Sequence, residues 1–257
     1  MTDIGTLEFA TALAQEAGHL AQTLRANAPQ DFVATKGKMD FITHADRASE
    51  RLIRERIAQA FPGDTVLGEE EGGTPTDSFW IVDPIDGTTN YLNGLSDWGV
   101  CIARVVDGVL IDGVITCPDH QTTATATRGQ GAYLNGVRIL PRPRPDMPLV
   151  QLGYSPRAPL PQHLRQIERI IAQGADYRRS GAACTGLLSI AAGWSDVYYE
   201  KHLNLWDAAP GLLLIAEAGG TSVHTPIPQF ARHGSEVLAL GSSMRTQADH
   251  WQGIFAT

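Results

Sequence analysis

The sequence predicts a mixed α+β fold, and three observations carry that prediction. Residues 4–61 hold two stretches whose apolar positions recur with the period of a helix. Residues 65–140 switch to short runs of strand character broken by turn dipeptides. After a proline-dense tract, helix and strand patterns alternate to the end.

Each element follows from its local sequence. In residues 4–26, Leu7, Ala10, Leu13, Ala17, Leu20 and Leu24 recur at steps of three and four and form one apolar stripe. Asn27-Ala28-Pro29 ends that helix, and a polar loop from Thr35 to Asp40 follows. A second helix is expected from about His44 to Phe61, with Leu52, Ile53, Ile57 and Phe61 inward and Pro62-Gly63 as its stop. Residues 65–67 and 79–82 read as short buried strands. Residues 98–106 and 109–117 flank Asp107-Gly108, a hairpin signal, and 122–127 and 132–140 continue the strand run with a second turn at Asn135-Gly136. Pro141, Pro143, Pro145 and Pro148 exclude regular structure between them.

That tract separates an N-terminal half, 1–140, from a C-terminal half, 149–257. The first holds two helices, the β meander and most candidate metal ligands; the second alternates α and β. The two are expected to form a single compact unit. The second half predicts a strand at 149–153, helices at 162–173 and 182–192, and a strand at 196–200. A helix at 206–218 is stopped by Gly219-Gly220, and a strand at 237–241 and a helix from Ser243 finish the chain. Residues 225–235 take no assignment.

Composition narrows the class. The chain has 257 residues, 43% hydrophobic and 19% charged, which excludes disordered and fibrous architectures. A chain of this size buries a core without help from a metal or a disulfide. Net charge is −8, so broad binding to a phosphate backbone is not expected and neither is a direct nucleic-acid partner. Cys101, Cys117 and Cys184 cannot all pair and none sits in a CxxC, which reads as reduced thiols. The N-terminus lacks a basic segment followed by an apolar core, and no apolar run approaches the ~20 residues of a membrane span. A cytoplasmic protein with no membrane association is expected.

Chemistry concentrates in Gly68-Glu69-Glu70-Glu71 and in Asp83-Pro84-Ile85-Asp86-Gly87-Thr88-Thr89-Asn90. Asp83 and Asp86 follow the apolar run Phe79-Trp80-Ile81-Val82. Carboxylates at the end of a buried strand are costly unless paired, hydrogen-bonded or bound to a metal. Pro84 stiffens the turn and Gly87 permits it, so two carboxylates and a threonine aim into one place. No nearby His or Cys pair has zinc spacing, and a carboxylate-only group suits a hard cation such as magnesium. Glu69–Glu71 read equally well as a solvated loop. Asp207 opens a helix, where a carboxylate is favoured by the dipole alone. Lys36 reads locally as an exposed lysine, Glu200 as a surface residue, and Arg178-Arg179 as contacts to an anionic substrate or an interface.

Asp83 through Asn90 resembles the first signature of the inositol monophosphatase family. Trp206-Asp207-Ala208-Ala209-Pro210-Gly211, with Glu217-Ala218-Gly219-Gly220 downstream, resembles its second. Gly68-Glu69-Glu70 matches the acidic motif of the family, and Lys36 with Asp40, Thr43 and Asp46 resembles its N-terminal segment. The resemblance implies a layered αβαβα sandwich of the inositol monophosphatase and fructose-1,6-bisphosphatase type. It implies a homodimer and lithium-sensitive hydrolysis of small phosphate monoesters with two to three magnesium ions.

Carried over by position, Glu69, Asp83 and the carbonyl of Ile85 would hold one ion and Asp83, Asp86 and Asp207 the second. A weaker third would lean on Glu69 with Glu70 nearby. Glu69, Thr88 and Asp86 would be catalytic, with Thr88 and Glu69 orienting the attacking water. Gly87, Thr88, Gly181, Ala182, Ala183, Glu200 and Asp207 would bind substrate, and Lys36 and Asp46 would support the site. Family members often carry Ser or Thr where this chain has Ala182, which removes one hydroxyl from the pocket. Inositol 1-phosphate leads the implied substrates. Fructose 1,6-bisphosphate, 3′-phosphoadenosine 5′-phosphate, NADP and histidinol phosphate are the alternatives, and a non-catalytic regulatory protein is the different-class alternative.

Overall fold

Two sheets, each covered by helices on both faces, build the computed structural model, which describes residues 5–28, 38–143, 146–155 and 157–256. The first sheet has seven strands in sequential order. They are β1 (Thr65–Gly68), β2 (Phe79–Asp86), β3 (Gly99–Val106), β4 (Val109–Cys117), β5 (Thr122–Thr127), β6 (Gly131–Leu134) and β7 (Val137–Arg138). Only β1 and β2 run parallel; the rest is an antiparallel meander. Its turns are the ones the dipeptides announce. Asp107 and Gly108 have φ of 50° and 73°, and Asn135 and Gly136 have φ of 48° and 78°, both positive as the tight hairpin turn requires.

Alternation along the strands sorts the core. Trp80, Val82, Val100, Ile102 and Val114 face outward and pack against Leu13, Ala14, Ala17, Ile53 and Ile57. Those residues are the inner stripes of α1 (Thr6–Ala26) and α2 (Lys38–Ala60). Phe79, Ile81, Cys101, Ala103, Val105 and Ile115 face the other way. They meet α5 (Ala183–Ala191) and α6 (Leu205–Glu217), which form the middle layer.

The second sheet lies beyond that layer. Its order is β11 (Thr221–Val223), β12 (Ser235–Leu240), β10 (Val197–Leu203), β8 (Leu149–Leu152) and β9 (Asp176–Arg178). Tyr198, Leu203, Val237 and Ala239 share the middle cluster, whereas Val150, Leu152, Val197, Tyr199, Leu238 and Leu240 face outward. That outer face is closed by α4 (Leu160–Ala172) and α8 (Ala248–Phe255), with Phe255 stacked on Tyr199 at 3.9 Å between ring centroids. The layers therefore run α, β, α, β, α, the α+β sandwich expected. Among the described residues no helix is long and apolar enough to cross a membrane.

Several boundaries differ from expectation. Helix α2 begins at Lys38 rather than near His44, so the expected loop ends before residue 38 and the rest of it lies outside the described residues. Strand β2 runs on to Asp86 instead of stopping at Val82, because its pairing with β3 resumes after an irregularity. The expected strand 132–140 is the pair β6 and β7 around Asn135-Gly136. The last helix starts at Ala248, not Ser243. Short elements had no forecast: β9, β11, α3 (Thr88–Leu92) and α7 (Ile227–His233), the last inside the unassigned 225–235.

Candidate metal centre and cleft

Strand β2 delivers two carboxylates through a bulge. Asp83 pairs with Cys101 and Asp86 with Gly99, three steps on one strand against two on its neighbour. Residues three apart on a regular strand face opposite sides, so the extra residue at Pro84-Ile85 is what brings Asp86 back to the side of Asp83. Pro84 has no N–H to donate, and it sits where the ladder is already interrupted. The N–H of Ile85 donates to Asp83 Oδ1 at 3.0 Å, which fixes that side chain.

Gly87 then turns the chain with φ of 87°, and a Cβ there would fall 2.7 Å from Ala182 Cβ. Thr88 opens α3 and its hydroxyl donates to the carbonyl of Ile85 at 3.1 Å. One lone pair of that carbonyl remains for another partner.

Two further elements complete the acidic group. Glu69 follows β1, which lies parallel beside β2. Asp207 is the third residue of α6, and its Oδ2 accepts the N–H of Asn204 at 3.1 Å in a capping box. Carboxylate oxygens of Glu69, Asp83 and Asp207 lie within 4.8 Å of one another. Asp83 is 1% exposed, and its Oδ2 is buried without a hydrogen-bond partner. Asp86 is braced from the other side, where the N–H groups of Cys184 and Ala183, at the start of α5, and of Gly87 point at its carboxylate.

The electrostatics are those of a centre short of positive charge. Burial, then the charges of Asp86 and Glu70, push Glu69 up to about 7. Burial raises Asp83 well above the usual carboxylate range, with Glu69 and Asp86 adding repulsion, and raises Asp207 likewise beside Asp86 and Glu69. Asp86 is also raised by burial, against the N–H groups that hold it. An all-oxygen donor set with an orphaned buried oxygen and mutually repelling carboxyls fits a hard divalent cation.

The second sheet supplies the facing wall of a cleft of about 200 Å³. Glu200 on β10 is buried, and its Oε2 accepts the hydroxyl of Tyr198 at 2.6 Å, two residues back on the same face. Burial pushes Glu200 up to about 7 despite that hydrogen bond. Gly153, just past β8, makes room for it, since a Cβ there would lie 2.0 Å from Glu200 Oε2. Gly181, Ala182 and Ala183 line the same cleft as Glu69, Asp83, Ile85, Asp86, Gly87, Thr88 and Asp207.

Other sequence candidates stand apart. Glu70 is outside the three-carboxylate group; its backbone N–H donates to Glu50 Oε2 at 2.8 Å. Asp46 does not line the cleft. It is 3% exposed, with an orphaned Oδ2, and burial followed by the charges of Glu70 and Glu69 pushes it up to about 8. Lys36 lies outside the described residues.

Sequence reasoning missed Glu50, which is fully buried on α2. It holds the N–H groups of both Glu70 and Glu71 and accepts Arg54 Nε at 2.8 Å. A glutamate on the inner stripe of an amphipathic helix, four residues before an arginine, was the available signal. It also missed Asn90, whose Nδ2 donates to Ser180 O at 2.8 Å and ties the two halves of the site together. The period-two spacing of Tyr198 and Glu200 is a sequence signal that puts both on one strand face.

The chain resembles known proteins in sequence and in fold. A sequence model described as "Inositol monophosphatase family" matches residues 5–244. The Nus factor SuhB of Xylella fastidiosa is 38% identical over 193 residues, covering 73% of this chain and 70% of that protein. An inositol-1-monophosphatase of Rhizobium meliloti is 36% identical over 217 residues, covering 82% and 79%. Among solved structures, Mycobacterium tuberculosis SuhB superposes with a TM-score of 0.77 at 31% identity, covering 96% of this chain and 94% of that one.

Proposed function

We propose, from the premise that this chain belongs to the inositol monophosphatase family, that it hydrolyses a small phosphate monoester with magnesium, inositol 1-phosphate foremost. The observation that carries the reading is the carboxylate group of Glu69, Asp83 and Asp207, with Asp83 buried and one of its oxygens unpartnered, opening into a cleft whose far wall bears Glu200.

Glu69, Asp83 and the Ile85 carbonyl would hold one magnesium, and Asp83, Asp86 and Asp207 a second. Glu69 with Glu70 nearby would hold a weaker third. Bound magnesium supplies Lewis-acid activation and charge neutralisation for phosphoryl transfer. Thr88 and Glu69 would orient the attacking water; the Thr88 hydroxyl, committed as a donor to Ile85 O, presents its lone pairs to that water. Asp86, held by three backbone N–H groups, keeps a fixed position when charge shifts during the reaction. Gly87, Gly181, Ala182 and Ala183 leave a side-chain-poor wall against which a phosphate can sit closely. Glu200 would accept hydroxyls of the leaving group, which suits a polyol. Lys36 and Asp46 would support the site from the N-terminal segment. Lithium inhibition, a homodimer in solution and a cytoplasmic location belong to the same reading.

A panel tests the substrate. Phosphate release is measured from inositol 1-phosphate, fructose 1,6-bisphosphate, 3′-phosphoadenosine 5′-phosphate, NADP and histidinol phosphate, with and without magnesium. The highest kcat/KM is expected for inositol 1-phosphate, and a higher value for another member reassigns the substrate within the class. The relative named a Nus factor favours a second reading, a regulatory role. Magnesium that raises the melting temperature of this chain without releasing phosphate from any panel member would support it over the first.

A further inference from the structure

Cys101, Cys184 and Asp86 meet behind the acidic group, and we propose that they form a site for a thiophilic divalent cation of the zinc and cadmium class, with Cys117 as a further sulfur beside them. The site is distinct from the Glu69–Asp83–Asp207 group and shares only Asp86 with the cleft. Its existence stands apart from the phosphatase reading; its effect on turnover rests on that reading.

Geometry comes first. All three cysteines of the chain are free and buried, and three elements bring them together. Cys101 lies on β3, Cys117 ends β4, and Cys184 is the second residue of α5. A carboxylate oxygen of Asp86 and the sulfurs of Cys101 and Cys184 lie within 4.8 Å of one another. Gly99 lets the third sulfur approach. A Cβ there would lie 3.0 Å from Cys184 Sγ and 3.3 Å from Cys117 Sγ, so both sulfurs settle over the same bare point of β3. None of the cysteines lines the cleft, whereas Asp86 does, which makes its carboxylate the way in.

Chemistry comes second. Buried cysteines on their own are inert packing. Here a carboxylate oxygen joins them and completes a mixed sulfur and oxygen set. Glu69, Asp83 and Asp207 offer oxygen alone, which suits a hard ion; two sulfurs with one oxygen suit a softer ion of tetrahedral habit. Sulfurs bound at ~2.3 Å in that geometry stand roughly 3.8 Å apart, which the 4.8 Å span accommodates. Binding replaces two S–H bonds by two metal–sulfur bonds and releases both protons to water. Two thiolates and a carboxylate around a divalent ion leave one negative charge. The N-terminus of α5, whose first N–H groups already hold Asp86, faces that charge and offsets it. Ile115, Leu187 and Leu213 share the apolar cluster of the three cysteines and keep water from the sulfurs. An ion held there ties Asp86 to the sulfurs and withdraws it from magnesium, so occupancy switches hydrolysis off.

Cadmium titrated into the metal-free full chain tests the site, read by the ultraviolet charge-transfer band of cadmium–thiolate bonds. One band-forming ion per chain is expected. Cys101→Ala and Cys184→Ala should each weaken that binding at least about tenfold and reduce the band, and Asp86→Asn should weaken it about tenfold with the band retained at saturation. Every variant is titrated below its own melting transition, and Cys101→Ser or Cys184→Ser replaces an alanine variant that does not fold. Absence of the band in the wild type, or unchanged binding in both cysteine variants, overturns the site. Unchanged binding in Asp86→Asn removes the carboxylate and with it the proposal. Phosphate release from inositol 1-phosphate with magnesium reads the consequence. One equivalent of cadmium should halt it in the wild type, and Cys101→Ala should require at least about tenfold more. Equal sensitivity of the two overturns the coupling through Asp86. A wild type that releases no phosphate fails the phosphatase reading, and the titration alone then decides the site.

Discussion

At the scale of single residues, the proposed function gives Glu200 to substrate recognition and not to metal binding. It is buried and held by Tyr198, and it lies outside the Glu69–Asp83–Asp207 group. Glu200→Gln keeps the size and one acceptor oxygen but loses the charge. The expected outcome is a severalfold change in the ranking of substrates by kcat/KM, with magnesium affinity by calorimetry shifted less. Equal loss on every substrate would count against a role in recognition. Glu200 itself was flagged in the sequence only through the family resemblance; a glutamate after Val197-Tyr198-Tyr199 carries no local mark of function. The paired aspartates were legible without it, since carboxylates after a buried apolar run demand an explanation. Glu50 was illegible as a ligand-loop anchor because its partners, the N–H groups of Glu70 and Glu71, are 20 and 21 residues away in sequence.

At the scale of elements, the bulge in β2 is the device that makes the site. Its signal, Pro84 inside a strand otherwise rich in β-formers, reads from sequence as the end of the strand, which is why β2 was expected to stop at Val82. The hairpins were legible because Asp-Gly and Asn-Gly encode their turns locally. Strands β9 and β11 were not, because three residues carry no period and their pairing with β8 and β12 is set by tertiary contact. Strand β8 also shapes the site. Its continuation at Gly153 donates its N–H to Tyr199 O at 2.8 Å, which keeps it against β10. Gly153→Ala would place a methyl on the Glu200 carboxylate. The variant is predicted to displace that carboxylate and to shift substrate ranking as Glu200→Gln does, with magnesium affinity nearly unchanged. Wild-type ranking would contradict the close approach of β8 to Glu200.

At the scale of the molecule, the carboxylates couple stability to pH. Glu69 and Glu200 titrate at about 7 and Asp46 at about 8 in the folded chain without metal, all raised mainly by burial. Ordinary carboxyls titrate near 4, so between about pH 4 and 8 the folded state holds more protons than the unfolded chain. Stability is therefore fullest below the unfolded values and declines as pH rises through the folded ones. The melting temperature without divalent ions is expected to fall from pH 5 to pH 8 (roughly the window of the shifts) and magnesium should flatten that fall. A melting temperature that rises over this range would contradict the assigned shifts. One apolar cluster joins Phe79, Ile81 and Cys101 of the first sheet to Leu187, Leu213 and Val237 of the second half. We propose on that ground that residues 1–140 and 149–257 fold as one unit, and a single calorimetric transition is predicted; two resolved transitions would separate the halves.

The central claim is that the carboxylates gathered by β1, β2 and α6 form a magnesium-dependent hydrolytic centre. Its most direct test is phosphate release from inositol 1-phosphate with and without magnesium, in the wild type and in Asp86→Asn. Asparagine keeps an oxygen to accept the Cys184 N–H, so the fold is expected to stand. Magnesium-dependent release is predicted, lowered by at least about a hundredfold in Asp86→Asn while the variant keeps a single cooperative unfolding transition. Release that is independent of magnesium, or wild-type rates in Asp86→Asn, would contradict it.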